Sequence, residues 1–313
     1  MKIHHELPNG DSAYRAERAA HPVLVAVGFF DGFHLGHRAI VRELLRMREP
    51  GERAAVLTFR EHPAAYLRPG QQPPLIMTLE ERINSIARAG IEEAFVLRFD
   101  QSIASLGPSA FLDQTLVERI GARAMIVGQN FRFGAKRVGD IGFARTHLLE
   151  RGLRFAAVPN ELDGGERVSS TRVRAAISAG ALDEADRLLG APYTLRGRVA
   201  VGVGRGHDLG FPTANVVVPP EKMLPPDGVY GVTGRRDGRD YRGLVSIGTN
   251  PTFDGTRRTV EAWLLDFSGS LYGEELALRD FRFVRAQQRF DTVDALLAAM
   301  RADAATIAFP SFT

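Results

Sequence analysis

The stretch VLVAVGFFDGFHLGH (23–37) joins a short apolar run to a turn that carries three glycines, an aspartate and two histidines. The apolar run predicts a buried strand, and the periodic segment HRAIVRELLRMR (37–48) predicts a helix directly after it. Gly28, Gly32 and Gly36 allow positive φ angles or the close approach of a ligand to the backbone. Because a helix N-terminus attracts anions through its free N–H groups, the stretch predicts a site for a charged ligand.

The rest of the first half alternates short apolar runs with helical patterns. The further predicted strands are AAVLTF (54–59), EAFVLRF (93–99), AMIVGQN (124–130) and RFAAVPN (154–160). Between them, LEERINSIARAG (79–90) and SAFLDQTLVERIG (109–121) repeat apolar residues at helical spacing. This alternation predicts an α/β domain with a parallel sheet covered by helices.

The pattern changes near Leu195, where short Val- and Gly-rich runs follow one another without an intervening helix. These runs are LRGRVAVGVG, NVVVP, GVYGVTGR, YRGLVSIG, VEAWLLDF and LALRDFRFVR, and a helical segment, TVDALLAAMRADAATIA (292–308), comes after them. We expect a small antiparallel β-barrel closed by one helix. The expected domains are residues 1–187 and 188–313.

Composition indicates an ordinary globular protein of 313 residues, 44% hydrophobic and 25% charged. It contains no cysteine, which excludes disulfides and thiolate chemistry, and no apolar run long enough to span a membrane. Since the start also lacks a signal-peptide core, we expect a cytoplasmic protein without a membrane partner. The net charge of +3 suits phosphate-bearing small molecules as well as nucleic acid.

The opening stretch resembles a signature of known enzymes. GFFDGFHLGH is similar to the HxGH motif of the nucleotidylyltransferase superfamily, and more narrowly to the adenylyltransferase module of the bacterial bifunctional riboflavin kinase/FMN adenylyltransferase (FAD synthetase) family. Three more stretches resemble motifs of that family: TFREHPAAYLRP (58–69), VGQNFRFGAKRVGD (127–140) and VSSTRVR (168–174). The resemblance implies a Rossmann-like nucleotidylyltransferase domain that transfers the AMP part of ATP to FMN and releases pyrophosphate.

The resemblance also implies roles for residues in these motifs. His34 and His37 would hydrogen-bond the triphosphate and stabilise negative charge in the transition state. His62 and Pro63 are candidates for binding FMN. The other candidates for binding ATP are Gly28, Phe29, Asp31, Gly32, Asn130, Arg132, Ser170, Thr171, Arg172 and Arg174. Of the two last arginines, one is expected to bind phosphate and the other to form an ion pair, with the choice left open.

Two stretches of the second half resemble the riboflavin kinase module of the same family. They are LGFPTANV (209–216) and SIGTNPTFDGTRRTVEAWLLDF (246–267). The resemblance implies that Glu261 is the catalytic base, which strand alternation places on the face of Trp263. It further implies that Thr213 and Asn215 bind Mg²⁺. The implied ATP-binding residues of this module are Gly210, Phe211, Pro212, Thr213 and Asn215.

The kinase motif departs from the family pattern at one position. His207 stands where the family usually has arginine, and Arg205 could supply the missing charge. The resemblance covers nearly the whole chain and implies a barrel kinase domain with a C-terminal helix.

The resulting hypothesis is one chain with two activities in series: ATP-dependent phosphorylation of riboflavin to FMN, then adenylylation of FMN to FAD. Mg²⁺, ATP and the flavins riboflavin, FMN and FAD are the expected cofactor and small-molecule partners, and a homo-oligomer is possible. The alternatives are a chain with one active half, a nucleic-acid-binding relative of class I tRNA synthetases, and a flavin-binding regulator without activity. A single tryptophan and no aromatic-rich basic patch disfavour nucleic acid.

Overall fold

The computed structural model describes residues 1–200, 213–252 and 255–307, with the side chains of 250–252 and 255–257 excepted. Gly210, Phe211, Pro212 and the departure at His207 lie outside the described residues. The chain divides into two compact units, Met1–Ser170 and Thr171–Thr313.

The first unit is built on a parallel sheet of six strands, in the order β1-β4-β3-β2-β5-β6. The strands are β1 (Lys2–His4), β2 (Val23–Val27), β3 (Arg53–Phe59), β4 (Glu93–Leu97), β5 (Ala122–Gly128) and β6 (Arg154–Val158). A small hairpin, β7 (Leu162–Asp163) and β8 (Glu166–Arg167), follows the sheet. The five predicted strands are confirmed, and β1 adds an edge strand of three residues that is too short to show a period.

Helices connect the strands of the first unit. They are α1 (Ser12–Ala20), α2 (Leu35–Met47), α3 (Pro63–Leu67), α4 (Leu79–Arg88), α5 (Gln101–Ala104), α6 (Pro108–Ala110, continued by π-helical turns over Phe111–Ile120) and α7 (Ile141–Leu149). The start of α4 is fixed by a capping box, because the Thr78 side chain accepts from the backbone of Glu81 and the Glu81 side chain accepts from that of Thr78.

Apolar side chains cover the sheet on both faces. Val23, Val25 and Val27 of β2 pack into one cluster, while Leu24 and Ala26 pack into the other. All five residues of β2 are buried. A strand that is apolar at every position is therefore explained by helices on both sides of the sheet.

β2 also marks the topological switch point of the sheet. The chain runs from β2 to β3 on one side, whereas β5 and β6 lie on the other side of β2. In open α/β sheets, ligands bind outside the carboxyl ends of the strands at this point. The turn GFFDGFHLGH begins at the carboxyl end of β2 and leads into α2.

The second unit contains a helix pair, a barrel and a final helix. The helices are α8 (Ser170–Ser178), which begins with the last residue of the first unit, α9 (Leu182–Leu189) and α10 (Val293–Thr306). The barrel strands are β9 (Leu195–Ala200), β10 (Ala214–Val217), β11 (Gly228–Arg236), β12 (Arg239–Thr252), β13 (Gly255–Leu264) and β14 (Glu275–Arg285). They close in the order β10-β13-β12-β11-β14-β9 with antiparallel pairing.

The predicted barrel and closing helix are thus confirmed. Strand alternation separates the two faces of β13: Val260, Ala262 and Leu264 are buried, and Glu261 and Trp263 are half-buried. Trp263 packs against a small apolar cluster that includes Ile307, just after α10. In the described part of the chain, no helix is both long and apolar enough to cross a membrane.

Candidate active sites

His34 and His37 form the start of α2. His34 is the N-cap, and its Nδ1 accepts a hydrogen bond from the backbone N–H of His37 at 3.3 Å. A neutral imidazole that accepts at Nδ1 carries its proton on Nε2, which makes His34 an Nε2–H donor. The two rings stack with their centroids 3.7 Å apart. The structure therefore brings the two predicted histidines together at one helix N-terminus.

The surroundings of His37 favour its neutral form. Burial lowers the pKa of His37 well below its ordinary value, and the neighbouring His34 and Arg82 lower it further. The edge of the Phe30 ring also contacts the imidazole, at a centroid distance of 5.3 Å. Nδ1 of His37 is buried and has no hydrogen-bond partner in the part of the chain described. His37 is thus a neutral hydrogen-bond donor and acceptor at neutral pH.

The turn before α2 has an unusual backbone. Gly32 has a φ of +83°, and Phe30 and Phe33 also have positive φ angles of 59° and 41°. Both phenylalanine side chains are completely buried, and their packing offsets the backbone strain. A Cβ on Gly36 would lie 3.1 Å from Cε1 of His34. The predicted positive φ is therefore seen at Gly32, whereas at Gly36 the neighbour that leaves no room for a Cβ is the His34 ring.

Asp31 holds this turn in place from inside. Its carboxylate is buried and accepts hydrogen bonds from the backbone N–H groups of Ile76 (3.1 Å) and Met77 (2.9 Å). The Ser170 hydroxyl donates to the backbone carbonyl of Asp31 at 2.8 Å. GFFDGFHLGH and the first residues of VSSTRVR, both predicted to bind ATP, thus meet at Asp31. The carboxylate of Asp31 contacts the chain rather than the open side of the turn.

The predicted flavin residues follow β3. His62 is the N-cap of α3, and its Nδ1 accepts from the N–H of Ala64 at 3.0 Å, while Pro63 occupies the first turn. The ring of Phe29 meets the His62 ring edge-on at 4.7 Å. Because β2 and β3 are neighbours in the sheet, the structure places His62 beside the glycine-rich turn.

Asn130 and Arg132 follow β5 on the other side of β2. Asn130 donates to the side-chain oxygen of Asn160 at 2.8 Å, and Arg132 pairs with Asp140 at 3.2 Å. Both side chains are exposed. They follow the carboxyl end of β5, and each has a partner on the surface.

The two arginines of the SSTRVR motif differ. Arg172 forms an ion pair with Glu184 of α9, with Nη2 2.9 Å from Oε1. This pair gives Arg172 a role within the second unit. Arg174 follows on the same helix, as does Thr171 next to Ser170. The ion pair with Glu184 does not decide which of the two arginines binds phosphate, and that choice stays open.

The barrel carries a polar row across three neighbouring strands. Glu261 on β13 pairs with Asn215 on β10 and with Ser246 on β12 in the antiparallel register. Residues directly opposite each other point to the same face of a sheet. All three side chains are half-buried, whereas their strand neighbours Ala214 and Val216 are buried in the barrel. The structure thus places Glu261, the predicted base, directly opposite Asn215 on the same face of the barrel sheet.

A possible magnesium site was predicted next to this row. Thr213 immediately precedes β10 and lies two residues before Asn215. Among the described residues, no group of three His, Asp or Glu side chains could hold a metal ion. Hydroxyl and amide oxygens are suitable hard ligands for Mg²⁺, which completes its shell with substrate phosphates and water.

The sequence alone did not identify two residues of these sites. Arg82 of α4 lies beneath the glycine-rich turn, and its spacing from Leu79 and Ile86 on the apolar face was the signal that could have found it. Gln287 follows β14 and donates to the hydroxyl of Ser246 at 2.8 Å. Nothing in the local sequence marks Gln287, because its partner lies far away in the chain.

Comparisons with known proteins agree with this division into two sites. The FAD synthetase family matches residues 16–172, and the riboflavin kinase family matches residues 189–308. The two sites thus define a nucleotide-dependent transferase of two domains. A solved structure described as a macrolide-efflux protein from Streptococcus pneumoniae is similar in fold, with a TM-score of 0.81 and 33% identity over 90% of this chain and 92% of that one.

Curated relatives match over nearly their full length, and each is named bifunctional riboflavin kinase/FMN adenylyltransferase. The protein of Pseudomonas fluorescens is 37% identical, covering 90% of this chain and 91% of the relative. The protein of Listeria monocytogenes is 35% identical, with 90% of each covered. The chain belongs to the family of bifunctional riboflavin kinase/FMN adenylyltransferases. The prediction of a transferase of FAD biosynthesis with both activities is confirmed.

Proposed function

We propose that the glycine-rich turn at the switch point of the sheet is where ATP is attacked by the phosphate of FMN. The observation that carries this proposal is the joint placement of His34 and His37 at the start of α2, beside the loop that holds His62. An FMN phosphate oxygen forms the new bond to the α-phosphorus of ATP. The bond to the bridging oxygen breaks, and pyrophosphate leaves.

The chain contributes positioning and charge stabilisation to this step. His34 donates through Nε2–H, and His37 acts as a neutral donor, so that neither accepts a proton from the nucleophile. Gly28, Phe29 and Gly32 shape the turn for ATP, and Asp31 supports it. Ser170 and its neighbour Thr171, with Arg172 or Arg174, stay the predicted ligands of the leaving phosphates. His62 and Pro63 stay the predicted flavin contacts. Asn130 and Arg132, which follow β5, stay predicted ATP contacts.

In the barrel, Glu261 accepts the proton of the riboflavin 5′-hydroxyl while that oxygen attacks the γ-phosphorus of ATP, and ADP leaves. Asn215 lies directly across the strand pair from Glu261, which supports a shared site. Thr213 and Asn215 would hold Mg²⁺ together with phosphate oxygens of ATP. The ion would neutralise charge that develops on those phosphates.

Several further expectations belong to this proposal. The domain boundary at 187/188 is supported by the second family match, which begins at residue 189. A cytoplasmic location and a homo-oligomeric state stay predictions. Small molecules are the proposed partners, with no nucleic acid involved.

The test is a separation of flavins after incubation of the purified protein with riboflavin, ATP and Mg²⁺, and in parallel with FMN, ATP and Mg²⁺. FAD from both mixtures is the expected result, together with loss of both products when the metal is chelated. FMN as the only product of the first mixture would overturn the adenylyltransferase part. His37→Ala should abolish FAD formation from FMN and leave FMN formation from riboflavin.

A further inference from the structure

Arg82 is a buried cation whose hydrogen-bond acceptors within the described ranges are backbone oxygens. Its side chain is 1% exposed. Nη1 donates to the carbonyl of Phe29 at 2.9 Å, and Nη2 donates to the carbonyls of Phe59 (2.6 Å) and Arg60 (3.2 Å). These three carbonyls belong to the carboxyl ends of β2 and β3 and the loops that follow them. One guanidinium therefore bridges the glycine-rich turn and the loop that leads to His62.

The same guanidinium also contacts the ring that separates these loops. Its central carbon lies 4.2 Å from the centroid of the Phe29 ring. The Phe29 ring also contacts the His62 ring edge-on, with the two centroids 4.7 Å apart. Stacking of a guanidinium on an aromatic ring fixes the orientation of both. The position of Phe29, and with it the gap between the two loops, depends on Arg82.

The charge of Arg82 is buried and is held by backbone carbonyls. Asp31 and Glu61 are the acidic groups that act on it, and they raise its pKa against the larger effect of burial. Burial lowers the pKa of Arg82 to about 10, so that it stays protonated at neutral pH. Its Nε is buried without a hydrogen-bond partner in the described part of the chain. A buried positive charge attracts anions that come near it, because water screens it only weakly.

We propose that Arg82 is a positioning residue for adenylyl transfer, which bridges the loops after β2 and β3 and gives the phosphate-binding turn a buried positive charge. The bridge fixes the separation between the ATP turn and the flavin loop. The charge faces His37 and is balanced when substrate phosphates bind. A positional error of 1 Å at such a site costs about 10²-fold in rate.

The proposal rests on the proposed adenylyl transfer at this turn, and its test uses the full-length chain with three variants. Arg82→Gln removes the charge and the guanidinium fork. Arg82→Lys keeps the charge but cannot bridge both loops with a planar fork. Arg88→Gln is the matched control, because Arg88 lies in the last turn of the same helix and is exposed.

The first readout is steady-state kinetics of FAD formation from FMN and ATP. We expect Arg82→Gln to lower kcat by about 10²-fold and Arg82→Lys by about 10-fold, with KM for FMN changed far less. Arg88→Gln should match the wild type. Riboflavin kinase activity of the same samples should stay unchanged in all three variants, which shows that the second unit is folded and the chain is correctly quantified, while the melting temperature reports the first unit.

The second readout is the pKa of His37, measured by NMR titration. The imidazole signal of His37 is assigned as the one that is missing from the spectrum of His37→Asn. The charged or titratable groups that face this ring are His34 and Arg82. Because the positive charge of Arg82 disfavours the imidazolium, we expect the pKa of His37 to rise in Arg82→Gln and to stay low in Arg82→Lys and Arg88→Gln. This titration needs no catalysis, and so it separates a wrong role for Arg82 from a wrong reaction.

The outcomes are distinct. A wild-type protein that forms no FAD from FMN overturns the reaction, whatever the titration shows. Full activity of Arg82→Gln overturns the positioning role. A third outcome is that Arg82→Gln forms FAD slowly and melts at a lower temperature while the pKa of His37 stays unchanged. Arg82 would then only maintain the fold, and the proposal would be wrong. If Arg82→Gln does not fold, full kcat in Arg82→Lys overturns the bridge.

Discussion

Asn215 on β10 and Glu261 on β13 lie directly opposite each other in the antiparallel register of the barrel. Their side chains share the half-buried face that also carries Ser246, across the other edge of β13. A carboxylate between an amide and a hydroxyl is well placed to accept a proton while nearby oxygens bind a metal–phosphate complex. This pairing supports the proposed role of Glu261 as the base of the kinase reaction.

We therefore predict that Glu261→Gln lowers riboflavin phosphorylation by about 10²–10⁴-fold and leaves FAD formation from FMN unchanged. Glutamine keeps the size of the side chain but cannot accept the proton. The measurement is the initial rate of FMN formation from riboflavin. Glu275→Gln is the control, since Glu275 is an exposed barrel glutamate paired with Arg196. Normal kinase rates in Glu261→Gln would show that another group is the base.

Gly36→Ala tests the packing of the phosphate-binding turn. The new methyl group would lie 3.1 Å from Cε1 and 3.2 Å from Nδ1 of His34, so the ring must move and its hydrogen bond to the N–H of His37 weakens. We expect FAD formation from FMN to fall by about 10-fold or more, with kinase activity unchanged. Gly107→Ala is the control, because a Cβ there meets no atom within 4 Å. Equal rates for both variants would contradict a dependence on the position of His34.

The helices and strands around both sites could be predicted from local sequence patterns. The side-chain contacts that hold the site residues in place could not, because they join residues far apart in the chain. β2 was predicted from its continuous apolar run, and α2 from the helical spacing of its apolar residues, because the first is buried on both faces and the second on one. α1 was missed because SAYRAERAA offers few apolar residues, and it is fixed by the burial of Arg18. The partners of Asp31 lie 45 and 46 residues away in the chain, where no local pattern can indicate them.

Glu93→Gln tests a buried ion-pair network at the edge of the first unit. Glu93 is 1% exposed and contacts His4, Arg18 and Arg53. Burial opposes ionisation of Glu93, but hydrogen bonds from these three side chains outweigh it and hold its pKa well below the ordinary value. Removing the carboxylate leaves Arg18 buried without its charge partner, which should destabilise the first unit by about 3–5 kcal/mol.

The measurement is urea unfolding followed by circular dichroism and by fluorescence. The single tryptophan is Trp263 in the barrel, and its emission reports the second unit and should not change. Glu43→Gln, which breaks an exposed pair with Arg46, should cost less than about 1 kcal/mol. Because the folded pKa of Glu93 is depressed, its contribution is present above the ordinary glutamate pKa and is lost as the pH falls through the folded value. A loss in Glu93→Gln that is no larger than in Glu43→Gln would contradict the network.

Asp186→Asn tests a carboxyl group whose ionised form, present at neutral pH, is disfavoured by burial. Burial raises the pKa of Asp186 to about 6, and the nearby Asp280 and Asp183 add to this, while a hydrogen bond from the N–H of Tyr193 opposes it. Since the folded pKa lies above the unfolded one, the stabilising contribution is complete below the unfolded pKa and is lost as the pH rises through about 6. Asparagine keeps an oxygen that accepts from Tyr193 and carries no charge.

We expect Asp186→Asn to melt several degrees above the wild type at slightly alkaline pH, with the difference shrinking as the pH falls below about 6. Fluorescence of Trp263 follows this transition because both residues belong to the second unit. Asp294→Asn is the control in the same unit: Asp294 is exposed in the first turn of α10, where a negative charge is favourable, and it does not act on Asp186, so its removal should not raise the melting temperature. A gain for Asp186→Asn that is the same at every pH would mean that it arises from packing and not from the ionisation of Asp186.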